Sequence, residues 1–148
     1  MLIGTYQNNL GDKNRIALPK KFCQELGESL IITKGYDNCL IIVNEQKWNK
    51  LISSFEQIPF VNSEVRDTRR FLIGSATEIT TDSQGRFVLP DHLKSYSKIN
   101  KNGTFLGLID WVELWDSEIW KNKEENINNS SNIIAQKVSD ILIEDNRK

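Results

Sequence analysis

The chain has 148 residues, 39% hydrophobic and 26% charged, with 19 Lys and Arg against 20 Asp and Glu for a formal net charge of -1. That is a globular composition for one domain or two very small ones, and units of about 70 residues are near the limit at which a core supports itself, so two would have to lean on each other. No apolar run approaches the roughly 20 residues of a membrane span, Met1-Leu2-Ile3-Gly4-Thr5 lacks the features of a signal peptide, and near-neutrality gives no global pull toward nucleic acid.

In chain order, Leu2 to Leu10 and Arg15 to Leu18 read as extended, Leu18 being held in the β region by the following proline. Pro19 opens a helix with Phe22, Cys23 and Leu26 as its apolar stripe and Gly27 as its stop. Leu30 to Thr33, a turn over Lys34 to Asn38, and Cys39 to Val43 read as a hairpin, after which Asn44 caps a helix carrying Trp48 one turn inside. Ser63 is the expected cap of a linking helix to about Ile73. Phe87 to Leu89 are extended, Pro90 opens a helix through Leu93 and Tyr96, and a hairpin falls around Asn102-Gly103 and Asp110. Val112 to Trp115 then runs into Asp116 and a helix with Trp120. Beyond Trp120, Asn128 to Asn132 reads as a flexible joint. Ile133, Ile134, Val138, Ile141 and Leu142 restore a helical stripe, expected first to pack on the chain's own domain and second on a neighbouring subunit.

These elements occur twice. Arg15-Ile16-Ala17-Leu18-Pro19 returns as Arg86-Phe87-Val88-Leu89-Pro90 at an offset of 71, in a chain with only 3 Pro. Before each Arg stands a turn signal, Gly11-Asp12-Lys13-Asn14 or Asp82-Ser83-Gln84-Gly85, with Asn14 and Gly85 aligned as residues that tolerate positive φ. Trp48 returns as Trp120 at an offset of 72. The boundaries that follow are residues 1–58 for the first repeat, 59–73 for a linking helix, 74–122 for the second repeat, and 123–148 for a polar linker and C-terminal amphipathic helix.

The chemistry concentrates at the repeated arginines. Lys13, Arg15, Lys20 and Lys21 against Asp12 give a net +3 over residues 12–21, a cluster suited to phosphate, with Arg15 able to fork onto phosphate or a guanine edge. Composition alone favours a solvated surface; repetition of the arginine reverses that preference. Asp82, Asp91, Arg86 and Lys94 sum to zero, so the first repeat is expected to supply most of the electrostatic contact and the second more of the assembly surface. Arg66 and Arg70 share one face of the linking helix at i,i+4 and, with Glu78, read as inter-repeat or oligomer contacts. Cys23 and Cys39 read as small core residues, and Trp48, Trp115 and Trp120 as core or interface anchors. The single histidine, His92, reads as a surface helix residue; no nucleophile motif, zinc spacing, P-loop or dinucleotide fingerprint is present, so neither catalysis nor a cofactor is expected.

Ile3-Gly4-x-Tyr6, the two turn-Arg-x-x-x-Pro elements, Leu26-Gly27-Glu28, Arg66-x-x-x-Arg70-Phe71, Ser75-Ala76-Thr77-Glu78, Asp82-x-x-Gly85-Arg86 and Glu113-Leu114-Trp115 together resemble the MraZ family of bacterial transcriptional regulators over about residues 1 to 120. The resemblance implies a mainly β fold with short helices, α+β, built as two tandem pseudo-symmetric swapped-hairpin (AbrB-like) β-barrel units. It implies a ring-shaped homo-oligomer, cytoplasmic and nucleoid-associated, that binds short direct repeats upstream of the division and cell-wall gene cluster. No membrane partner and no small-molecule substrate are expected. The family's D-x-x-x-R motif falls on Asp82 and Arg86; in the first repeat Arg15 matches, but Gly11 stands in the Asp position and Asn14 in that of Gly. Asp82, Gly85 and Asn14 are thus the expected loop organisers, and the first loop, without its Asp, is expected to be the more mobile. The alternative class is an oligomeric protein-interaction scaffold that does not touch DNA.

Overall fold

Pro19 and Pro90 have no N–H to give a strand ladder, so the extended segments before them must stop there. In the computed structural model, which describes residues 1–147, those segments are β2 (Arg15–Ala17) and β6 (Arg86–Val88), and they pair with each other as an isolated antiparallel ribbon. The amides just before the prolines are spent elsewhere: Leu18 N–H donates to the Gly85 carbonyl at 2.9 Å, and Leu89 N–H to the Asn14 carbonyl at 2.8 Å.

The other strands are β1 (Leu2–Asn9), β3 (Leu30–Lys34), β4 (Leu40–Asn44), β5 (Thr77–Ile79), β7 (Asn102–Ile109) and β8 (Val112–Asp116). They form one antiparallel sheet in the order β1-β7-β8-β4-β3-β5. With the two repeats overlaid, that order is a palindrome, and the registers make it an approximate two-fold. Ile41 faces Glu113 at the β4–β8 centre, and Ile16 faces Phe87 at the ribbon's centre, each opposite its own sequence equivalent. The outer strands obey the same symmetry at an offset of 70, since Thr77 pairs with Ile32 as Gln7 pairs with Thr104. The offset therefore grows from 70 to 71 to 72 along the repeat, which marks one extra residue in the second copy before its arginine and another after its first helix.

Each outer strand lies on the hairpin of the other repeat, β1 on β7 and β5 on β3, so neither repeat forms its own sheet. This is how two stretches too small for independent cores share one. Residues Met1–Ser117 make a single compact unit. Phe22, Phe105, Leu93, Leu114, Ile32 and Ile42 are completely buried in it, each contributing roughly 1.5–3 kcal/mol of burial free energy. The α+β class holds, but the closed barrels do not: β1 and β5 pair on one side only, and the proline-limited ribbon is too short to bridge them, so the sheets stay open.

The helices follow their caps. α1 (Lys20–Leu26) begins after Pro19 and ends where Gly27 takes φ +84°. α2 (Glu45–Glu56) is capped by the Asn44 side chain accepting from Lys47 N–H, and packs Trp48 against Ile31 and Val43. α3 (Ser63–Leu72) is capped by Asn62, which accepts from Val65 N–H, one residue ahead of the expected Ser63. α4 (Asp91–Ser97) opens after Pro90. Asn102 and Gly103 lie inside β7, and the β7–β8 turn falls on Asp110 and Trp111, whose backbone closes it through Leu108. Cys39 is buried and its thiol is pushed up chiefly by that burial; Cys23 is only half-buried, against the expectation of a core residue.

The segment from Glu118 on is a second compact unit, made of α5 (Ser117–Asn129, most of it here) and α6 (Ser131–Asn146). The Asn-rich stretch expected as a joint is helical apart from Ser130, and helical hydrogen bonds run on either side, from Ser130 N–H to Asn126 and from Ile134 N–H to Ser130. Ile133, Ile134, Val138, Ile141 and Leu142 are all exposed.

Candidate nucleic-acid interface

Strand alternation decides where the repeated arginines point. Ile16 and Phe87, at 1% and 2% exposure, take the inner face of the ribbon, so their neighbours Arg15, Ala17, Arg86 and Val88 take the outer one. Arg15 lies opposite Val88 and Arg86 opposite Ala17, which makes the arginines diagonal cross-strand neighbours, with a typical separation of roughly 7–8 Å between such Cα atoms. Residues 71 apart in the chain thus meet on one solvent-facing surface, where both line a shallow depression with Thr80, Thr81 and Val88.

The loop before Arg86 is organised by Asp82. One carboxylate oxygen accepts the backbone amides of Gln84 and Arg86, each at 2.9 Å, and the other accepts the Arg86 Nε proton at 2.9 Å. The Arg86 amide is the first cause that holds the Asp82 carboxyl below its usual range, with the Arg86 guanidinium acting in the same direction. Gly85 completes the turn at φ +78°, and a Cβ there would sit 3.1 Å from both Cys23 Sγ and the Leu18 carbonyl. Asp82 and Gly85 together set the geometry of this turn.

The loop before Arg15 has the same frame and different fittings. Gly11 N–H donates to the Arg15 carbonyl at 2.7 Å, as Asp82 N–H does to Arg86 at 2.9 Å. Residues Asp12–Asn14 make a 3-10 turn with Lys13 and Asn14 at φ 59° and 58°. Gly11 offers no carboxylate, and the Arg15 guanidinium has no hydrogen bond or ion pair among the described residues. Asn14 is tied instead to α4 of the other repeat: its Oδ1 accepts from Lys94 Nζ at 3.0 Å, and its Nδ2 donates to Asp91 Oδ1 at 3.3 Å. Lys94 occupies the place of Cys23 in the repeat, so the position that is closed to a side chain at Gly85 by Cys23 holds, in the first loop, the Asn14 amide bonded to Lys94. In the sequence Asp91 and Lys94 stand out only as charges; the 71-residue offset that aligns Lys94 with Cys23 is the signal for their role.

Lys13, Lys20 and Lys21 are exposed, Lys13 at the tip of the first loop and the other two in the opening turn of α1. Arg66, Arg70 and Glu78 are not brought together within the chain. Arg66 donates to the carbonyls of Phe60 and Val61, Arg70 pairs with Asp67 at 2.7 Å, and Glu78 lies opposite Ile31 on β5. Arg69 joins α3 to α2 through the Phe55 carbonyl, while its Nε is buried without a partner among the described residues. His92 is an exposed helix residue whose Nε2 lies 3.0 Å from the Ser75 carbonyl.

The family model for MraZ protein matches the chain twice in succession, over residues 1–71 and 72–140. The chain belongs to the MraZ family. Relatives named transcriptional regulator MraZ include one from Clostridium tetani, 40% identical over 144 residues, which cover 97% of this chain and all of the relative. Others from Caldicellulosiruptor bescii and Thermoanaerobacter sp. are 38% and 34% identical over 143 residues, again 97% of this chain and all of each relative. Membership makes this MraZ-family chain a regulator of transcription and not an enzyme. Among the described residues no helix is long and apolar enough to cross a membrane.

Proposed function

We propose that the chain is a sequence-specific DNA-binding regulator of the division and cell-wall gene cluster, binding short direct repeats as a ring-shaped homo-oligomer in the cytoplasm, associated with the nucleoid. The observation that carries this is the ribbon that puts Arg15 and Arg86 side by side on an exposed face. A two-stranded ribbon is one of the shapes a DNA major groove admits, and a guanidinium matches the two acceptors of a guanine edge. Arg15, without a hydrogen bond or ion pair among the described residues, is the foremost candidate for base or phosphate contact, with Lys13, Lys20 and Lys21 holding phosphates around it. Arg86 enters already paired with Asp82 and contributes less charge.

A protomer of net charge -1 has little long-range attraction for DNA. Several copies of the ribbon on one ring would engage repeated boxes together, so that effective concentration supplies what one site lacks. A mobility-shift assay with the duplex upstream of the protein's own gene, at two salt concentrations and with competitor, tests the reading. The expected result is a competitor-resistant, salt-sensitive shift by the oligomer that an assembly-defective variant loses despite intact loops. A monomer binding one box tightly would refute the avidity mechanism, and no shift by intact oligomer would leave the scaffold alternative.

A further inference from the structure

The two arginine loops are related by the two-fold, and both hang their left-handed residue on the other repeat through an equivalent backbone hydrogen bond, Leu89 N–H to Asn14 and Leu18 N–H to Gly85. Beyond that bond they differ. Asp82 braces its own arginine from within the loop. The first loop has no such carboxylate; its side-chain ties come from across the axis, from Lys94 and Asp91 on α4 to the two ends of the Asn14 amide. Asn14 immediately precedes Arg15, and its left-handed φ of 58° sets the direction in which the chain enters β2. A side-chain amide gripped at both ends fixes that residue's rotamer, and the backbone bond at 2.8 Å fixes its peptide.

We propose that Lys94, assisted by Asp91, is a positioning residue for Arg15: the second repeat aims the arginine of the first through Asn14. This rests on the reading of Arg15 as a DNA contact. Lys94 Nζ gives one of its three N–H donors to Asn14 Oδ1, and the salt slope of binding separates this positioning role from direct phosphate contact. Exchanging Lys94 for a residue of similar bulk without the ammonium leaves β2 and the core in place and releases only the turn. The same loss cannot spread to the second loop, whose ties are to Asp82, Leu18 and its own backbone.

The test combines Lys94→Met, Asp91→Ala, Asn14→Gly and the Lys94→Met/Asn14→Gly pair, in the full-length oligomer. Amide hydrogen exchange is read at Gly11–Arg15 and Asp82–Arg86, and affinity for the duplex upstream of the gene at several salt concentrations. Expected for Lys94→Met are faster exchange in the first loop only and an affinity loss of about three- to tenfold, with an unchanged salt slope. Asp91→Ala gives a smaller loss, and in the Asn14→Gly background Lys94→Met has no further effect. Unchanged exchange at Gly11–Arg15 overturns the proposal. So does an equal loss in the Asn14→Gly background with the salt slope reduced by about 1, which would make Lys94 a direct phosphate contact. The exchange measurement needs no DNA: faster exchange in the first loop, with a wild-type protein that does not bind the duplex, sustains the brace and defeats the DNA reading instead.

Discussion

The loops before Arg15 and Arg86 solve one geometric problem in two ways. Both must turn through a left-handed residue and deliver an arginine to the outer face of the ribbon. The second does it locally: Asp82 collects two backbone amides and the guanidinium, and Gly85 supplies the turn without strain. The first does it at long range, with Asn14 clasped by Lys94 and Asp91 from a helix some 80 residues on. The difference bears on function, because a local brace that uses the arginine's own side chain also neutralises it. Bracing through the backbone neighbour leaves the Arg15 guanidinium uncommitted. One arginine is thus held in an exposed ion pair and the other is an outward-facing cation.

The largest perturbation should abolish the comparison altogether. Phe87 is 2% exposed at the centre of the ribbon, opposite Ile16, and supports both loops. Phe87→Ala should destabilise the protein by about 3–5 kcal/mol, read from urea unfolding, and release both arginines together. Loss of order in only one loop would show that the ribbon is not their common support. Next in size, Arg15→Ala should cost about 1–3 kcal/mol of binding and reduce the salt slope by about 1, while Arg86→Ala costs less on both counts. Equal losses would remove the functional asymmetry and leave only the structural one.

Gly85→Ala sharpens the contrast between the turns themselves. A Cβ at φ +78° is strained, and it meets Leu18 and Cys23 at 3.1 Å, so a destabilisation of about 1–2 kcal/mol is expected from thermal or urea melts. Asn14→Gly, at a φ of 58° that glycine adopts freely, should cost less, its effect being confined to the lost clasp with α4. If Asn14→Gly proved the more damaging, the clasp would be supporting the fold and not just the loop.

Much of this was legible in the chain, and what was not has physical causes. The paired R-x-x-L-P segments, the Gly27 stop, the Asn44 cap and the outward arginines follow from local rules of proline, glycine and strand alternation. The interleaving of β1 with β7 and β5 with β3 does not, since strand partners are chosen by packing across the whole sheet, and nothing local to Leu2–Asn9 names Asn102–Ile109. The openness of the sheets departs from the closed barrels that family resemblance implied. Asn128 to Asn132 misled in the other direction: asparagine and serine are weak helix formers, yet here they continue the helix up to a single break at Ser130. The Asn14–Lys94 clasp was hidden by its sequence separation, although the offset that aligns Lys94 with Cys23 pointed to a substitution facing the turn. Arg66 and Arg70 share α3 while Glu78 lies on β5, and within the chain Arg66 bonds the Phe60 and Val61 carbonyls, Arg70 pairs with Asp67, and Glu78 faces Ile31 of the first repeat.

The smallest effect isolates the local brace by pH. Hydrogen bonds from Arg86 and Gln84 amides and the nearby guanidinium favour the charged carboxylate, so Asp82 binds its proton less readily folded than unfolded. With the folded pKa depressed, its contribution is complete above the ordinary aspartate range and disappears as pH falls through the lower, folded value. Asp82 is solvent-accessible, so the change in global stability is slight, and the response belongs to the loop. In an acid titration followed by amide resonances, Gln84 and Arg86 should shift together with a midpoint below that of a free aspartate, and Asp82→Asn should remove the shift. Among the described residues the first loop has no carboxylate bound to its own amides and its only acidic tie is Asp91 to the Asn14 side chain, so Lys13 and Arg15 should not share that midpoint. Coincident titration of both loops would mean that the ribbon couples them, and the division into a self-braced and a cross-braced arginine would fail.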